Sequence, residues 1–192
     1  MFHLRTPSRD YGTLRLALAG VHQVTNAVVA VRVLEALEAA GVPVTAAHVE
    51  RALATVRWPG RLERVTLPDG REALLDAAHN ADGAGALASY LSSLGPARPL
   101  VLAAMRDKDA GAMLRALAPC ASALVLTRAS NPRSTDPADL AAIAREVSPD
   151  TPCEVAGDVR EALACAWRLA PRIAVAGSIF LLADVMKELG RS

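Results

Sequence analysis

From Val24 to Ala40 the apolar side chains recur at the spacing of one helix face, and Gly41-Val42-Pro43 ends the run. Thr45 is placed to cap a second helix, Ala46 to Ala54, with Val49 and Leu53 on its apolar side. Upstream, Arg5 to Gly12 is polar and reads as turns. Leu14-Arg15-Leu16-Ala17-Leu18 alternates as a half-buried strand does, and Gly20 breaks it.

Beyond Trp58-Pro59-Gly60 the pattern changes. Leu62 to Leu67 reads as a strand closed by a turn at Pro68-Asp69-Gly70. Five short apolar strands follow, over 73–77, 100–104, 123–126, 153–156 and 173–176. Helices over 81–94, 110–118, 137–146, 159–169 and 178–189 separate and close them. Such alternation predicts an α/β fold: a Rossmann-like, doubly wound, mostly parallel sheet with helices on both faces. A short N-terminal helical block precedes it, so the chain divides into residues 1–59 and 60–192.

Composition narrows the function. The 192 residues are 52% hydrophobic but only 3% aromatic, enough for a large aliphatic core. Lys and Arg (21) nearly balance Asp and Glu (20), which argues against a general electrostatic grip on nucleic acid or an anionic membrane. Cys120, Cys153 and Cys165 are odd in number and widely spaced, as buried free thiols of a reducing compartment are. Met1 to Asp10 carries no signal-peptide pattern, and no apolar stretch reaches membrane-spanning length. The expectation is a soluble, cytoplasmic protein.

Candidate chemistry collects at strand ends and helix starts. His22-Gln23-Val24-Thr25-Asn26 opens a helix. Asn26 can donate and accept toward an adenine edge, or Thr25 or Asn26 can simply cap the helix. Arg61 follows a rigid Pro-Gly turn and offers a fork suited to phosphate; the alternative is a surface arginine paired with Glu63 or Glu50. Asp76, His79 and Asn80 end the first of the five strands, where open α/β sheets bind ligands. Local capping and a structural histidine are the other reading there. Arg106-Asp107-Lys108-Asp109 follows the next strand, with Lys108 a candidate anion ligand. Thr127 to Arg133 adds two cations, and Ser178 follows the last strand, where it caps the last helix and exposes amides or serves as a plain N-cap. There is no G-x-x-x-x-G-K-[ST] phosphate loop, no Cys/His cluster for a metal and no nucleophile elbow.

Taken in order, His22-Gln…Asn26-Ala, Trp58-Pro-Gly-Arg-Leu-Glu63, Leu75-Asp-Ala-Ala-His-Asn80, Asp107-Lys-Asp109 and Gly177-Ser-Ile-Phe-Leu181 closely resemble the folylpolyglutamate synthase/dihydrofolate synthase family of the Mur ligase superfamily. The resemblance runs from about Leu14 to the C-terminus. It implies an ATP- and magnesium-dependent amide ligase, in which a folate or dihydropteroate carboxylate passes through an acyl phosphate and is joined to glutamate. By motif, Asn26 would contact adenine, Arg61 the phosphates, and Asp76 the nucleotide or its metal environment. His79 and Lys108 would serve glutamate, with Ser178 nearby. Ala77 and Ala81 depart from the glycine and proline often found there. The family's N-terminal P-loop domain has no counterpart in this sequence. The chain therefore reads as the C-terminal part of such a ligase, with residues 1–59 a remnant of the ATPase domain and negligible activity alone. Two other readings stay open: a stand-alone amino-acid or anion-binding module, and the C-terminal domain of a cell-wall Mur ligase.

Overall fold

The computed structural model describes residues 1–191, which form two compact units that divide between Pro59 and Gly60. The first is not purely helical. Strands β1 (Phe2–Arg5) and β2 (Asp10–Leu14) pair antiparallel ahead of helices α1 (Val21–Ala39) and α2 (Ala46–Thr55). The polar stretch read as turns is thus the loop and second strand of a hairpin, and Arg15 to Leu18 lies outside it. The first strand was hidden because its alternation, Phe2 and Leu4 against His3 and Arg5, is only four residues long. Leu4 and Leu14 pack with Ala27, Val31, Val49 and Leu53 in a small core.

Helix α1 starts at Gly20, which serves as N-cap, so Thr25 and Asn26 lie inside the helix and cap nothing. Thr45 does cap α2, accepting from the His48 amide at 3.2 Å. The stripe that α1 buries is Gln23, Ala27, Val31 and Glu35. Glu35 is a buried carboxylate that accepts hydrogen bonds from the Thr6 and Tyr11 hydroxyls and from Arg32. It ties the hairpin to the helix. Burial pushes its pKa up, but the bonds from Thr6, Arg32 and Tyr11 outweigh that and hold it below the ordinary value.

The second unit is a six-stranded sheet in the order β3-β4-β8-β5-β6-β7. The strands are β3 (Glu63–Thr66), β4 (Glu72–Leu75), β5 (Arg98–Leu102), β6 (Ala121–Leu126), β7 (Cys153–Val155) and β8 (Arg172–Ala176). Only β3 runs antiparallel, as the hairpin partner of β4. Between strands lie α3 (Ala81–Ser93), α4 (Ala110–Leu117), α5 (Pro137–Val147) and α6 (Val159–Leu169), and α7 (Ile179–Glu188) ends the chain. Each of β4, β5, β6 and β7 steps one way across the sheet, and β8 then returns between β4 and β5. Right-handed crossovers put helices of opposite stepping direction on opposite faces. Helices α6 and α7 accordingly share one core with Val65, Leu75, Val101, Val125, Ile173 and Val175. The alternate residues Leu74, Leu100, Leu102, Leu124 and Leu126 are buried on the other face.

The segment Gly60–Glu63 is locked to the end of β4. The Ala77 amide donates to the Gly60 carbonyl at 2.7 Å, and the Gly60 amide donates to Glu63 Oε2 at 2.9 Å. Leu62 sits in the left-handed region at φ 47°, an uncommon place for a branched side chain. Its amide donates to Asp76 Oδ2 at 3.0 Å, while Asp76 Oδ1 accepts from the Ala78 amide at 2.9 Å. Asp76 is only 4% exposed, so one buried carboxylate holds both motif segments in place. Arg61, between these anchors, is half-buried and makes no ion pair with Glu63, whose carboxylate meets Arg191 at 3.2 Å.

Asp76→Ala should therefore lower unfolding stability by about 2–4 kcal/mol, because buried charge-assisted bonds are lost and two amides are orphaned. Arg61→Ala should change it by less than about 0.5 kcal/mol. Denaturant unfolding checks both, and equal losses would contradict this division. For the first unit, the stabilisation from Glu35 is present above the unfolded-state carboxylate pKa and fades as pH falls through the lower folded value. Amide signals of Thr6 and Tyr11 followed on acidification should show hairpin release that Glu35→Gln makes independent of pH over that window.

Candidate active site

The chain reversal puts β8 between β4 and β5, so loops leaving these neighbours go to opposite faces and part at their carboxyl ends. Backbone contacts draw the three loop starts together. The Gly177 amide donates to the Ala78 carbonyl at 2.8 Å, joining the β8 and β4 loops. Gly177 has φ 110°, and a Cβ there would lie 2.3 Å from the Ala103 carbonyl oxygen at the end of β5. The β5 and β6 loops are joined by an isolated bridge between Met105 and Ser134 and by the Arg106 amide donating to the Arg133 carbonyl at 2.9 Å.

An open crevice of about 240 Å³ results, lined by His79, Asp107, Lys108, Arg133, Ser178 and Phe180 among others. His79 Nδ1–H donates to the Ala77 carbonyl at 2.8 Å, which fixes the ring and leaves Nε2 for other partners. Lys108 Nζ lies 3.0 Å from Asp107 Oδ2, with the two side chains 36% and 51% exposed. Such an exposed pair is weak enough for Lys108 to exchange Asp107 for a ligand carboxylate. The Lys108 hydrogen bond chiefly, with help from Arg133, holds the Asp107 carboxyl below its usual range. Arg133 rests over the Phe180 ring, 5.8 Å from its centre. Ser178 is buried and its hydroxyl caps α7, accepting from the Phe180 amide at 3.1 Å.

Three of the residues singled out in the sequence, His79, Lys108 and Ser178, thus share one crevice. Asp76 does not join them. Its carboxylate accepts from the backbone amides of Leu62 and Ala78 beneath the loop, which gives it a positioning role there. Asn80 caps α3 by accepting from the Gly83 amide at 2.8 Å. Asn26 belongs to the first unit, exposed, with its amide donating to Gln23 Oε1 at 3.3 Å. Arg133, one of the two cations that the sequence offers after the third strand, joins His79, Lys108 and Ser178. Its signal was the Asn131-Pro132 turn at a third strand end, which fixes the arginine's backbone: the Arg133 amide donates to Asn131 Oδ1 at 2.9 Å.

Arg61 suits a phosphate group: it is half-buried, on a fixed backbone, and has no hydrogen bond or ion pair with another described residue. No three His, Cys, Asp or Glu side chains are grouped to hold a metal among the described residues. No helix of the described residues is long and apolar enough to cross a membrane.

Comparison with known proteins agrees with this geometry. The Mur ligase glutamate ligase domain matches residues 60–181. A dihydrofolate synthase/folylpolyglutamate synthase of Mycobacterium tuberculosis is 36% identical over 178 residues, covering 88% of this chain and 36% of that protein. The crystal structure of folylpolyglutamate synthase from the same organism, complexed with ADP and AMPPCP, superposes with a TM-score of 0.85 at 33% identity. That match covers 95% of this chain and 43% of the other. A UDP-N-acetylmuramoyl-L-alanyl-D-glutamate–2,6-diaminopimelate ligase of Caulobacter vibrioides is 32% identical over 190 residues, covering 93% of this chain and 35% of that one. The chain spans well under half the length of these relatives. Sheet order, strand-end crevice and sequence matches agree that it belongs to the Mur ligase family through its glutamate ligase domain.

Proposed function

We propose that this chain supplies the amino-acid side of a cytoplasmic, ATP-dependent folate–glutamate ligase of the folylpolyglutamate/dihydrofolate synthase type. The observation that carries the reading is the convergence of His79, Lys108, Arg133 and Ser178, from the loops after four different strands, on one crevice. Glutamate carries two carboxylates and one ammonium. Lys108 and Arg133 answer the carboxylates with charge-assisted hydrogen bonds, and His79 Nε2–H adds a third donor when the ring is protonated. Asp107, at the same mouth, is the acidic partner for the ammonium.

ATP, when bound, supplies the phosphoryl group that activates the folate carboxylate. This chain's part is to place the amino acid and steady the phosphates. Arg61 sits on the backbone that Asp76 fixes, so its Cα is held in place while its guanidinium stays available to a phosphate. Residues 1–59 are read as the remnant of the ATPase domain, with Asn26 its adenine contact. The phosphate loop and the metal site belong to a P-loop domain outside this sequence. The chain alone is therefore expected to bind amino acid and to turn over no ATP. The second reading, a cell-wall ligase domain, is favoured by the likeness to the Caulobacter ligase, and diaminopimelate in place of glutamate distinguishes it.

In a complete ligase carrying this domain, His79→Ala and Lys108→Ala should each raise KM for glutamate about 10- to 100-fold, the loss of a charged hydrogen bond. Arg61→Ala should instead raise KM for ATP. Steady-state kinetics separates the two. For the chain itself, NMR titration with L-glutamate should move amides near Ala78, Lys108, Arg133 and Gly177. A response to diaminopimelate and none to glutamate would transfer the assignment to the wall ligases, and no response to either would sink it.

A further inference from the structure

The opposite edge of the same sheet carries a second charged cavity that the ligase reading does not use. It opens at the amino ends of β4, β8 and β5, has a volume of about 360 Å³, and is lined by Glu72, Arg98 and Arg172 with Leu94, Pro96 and Pro171. Register explains why the charges meet. Glu72 pairs with Arg172 across β4 and β8, and the β5–β8 register, Leu100 opposite Ala174, sets Arg98 opposite Arg172. Three charged side chains therefore form one row on one face of the sheet. Arg64 comes from the same face of β3, since Thr66 pairs with Glu72 and Arg64 with Leu74.

The row is unbalanced. Glu72 answers Arg172 at 3.3 Å. Arg98 is half-buried and has no hydrogen bond or ion pair with another described residue. Its pKa is pushed down, first by burial and then by Arg64 and Arg172, with Glu72 opposing. Like charges set directly opposite one another on a sheet are destabilising. The carboxyl ends of α3 and α6, which reach the cavity at Leu94 and Ala170, offset part of this through their carbonyls. A small anion seated in the row would relieve the repulsion and receive paired donors from two forks.

We propose that Arg98 and Arg172, supported by Arg64, form a phosphate-binding site at the amino edge of the sheet, separate from the carboxyl-edge crevice. The ligand class is a phosphate dianion, either free or carried on a small organic molecule, for which the cavity has room. The site rests on register, charge and cavity alone and is independent of the ligase reading.

The test is NMR titration of the full chain with inorganic phosphate at constant ionic strength, and in parallel with ribose 5-phosphate and ribose. Saturable shifts should appear at Gly70, Leu94, Ala97 and Arg98, apart from any at His79 and Lys108. Arg98→Gln and Arg172→Gln should each weaken binding at least tenfold, with Arg98→Lys intermediate. Tighter binding of ribose 5-phosphate identifies an organic phosphate as the source, and equal affinity identifies free phosphate. Non-saturating shifts, shifts that survive both Gln variants, or equal response to ribose would overturn the proposal. Should Arg98→Gln fail to fold, Arg172→Gln and Arg64→Gln, at exposed positions, decide it.

Discussion

The end of β8 has no room for a side chain: at Gly177 a Cβ would lie 2.3 Å from the Ala103 carbonyl oxygen. That close approach lets the last strand enter between β4 and β5 and still turn away to the other face. Everything at the carboxyl edge follows from it. The Gly177 amide reaches the Ala78 carbonyl, which sets the loop bearing His79 beside the cap of α7. Lys108 and Arg133 arrive from the adjoining loops on the β5 side. Each side chain is separated from the others by many residues in sequence, and a few backbone contacts bring their loops to a common mouth.

Asp76 shows how such a mouth is kept rigid. A carboxylate at a strand end is a natural ligand group, but here both oxygens are turned inward to amides of Leu62 and Ala78. The left-handed Leu62 costs on the order of 1 kcal/mol or more, and the charged hydrogen bond from its amide offsets that cost. The chain thus uses its best-placed acid to hold its arginine and histidine. Catalytic geometry on loops needs such support, because a ligand group displaced by an ångström loses most of its advantage.

Most of the sheet domain was legible in the chain. Helix starts at Thr45, Asn80, Asp109, Asp136, Asp158 and Ser178 are marked by side chains that do cap them. Short Val/Leu/Ala runs between those caps fall on the parallel strands. Legibility failed where periodicity was too short, as at Phe2–Arg5, and where a motif was read without its third dimension. Asp76 and His79 are neighbours in sequence, yet one points beneath the loop and the other lines the crevice. No spacing rule separates them, since the difference is set by Leu62, fourteen positions upstream. Arg133 is hidden for the converse reason: the Asn131-Pro132 turn marks its backbone, but the contacts of Ser134 with Met105 and of Arg133 with Arg106 that carry its loop to the site have no local signature.

Overall charge was a poor guide to local charge. A chain with 21 basic and 20 acidic residues rules out a broad polyanion-binding surface, but it says nothing of how the charges are paired. Here many acids are spent on backbone amides or helix caps: Asp76, Asp109, Asp136 and Asp158 are all used this way. Basic side chains gather at the amino edge, where Arg98 and Arg172 line one cavity, and at the carboxyl edge, where Lys108 and Arg133 line another. A nearly neutral sequence can therefore gather basic side chains in two separate recesses, because register and loop placement, not net charge, decide which side chains meet.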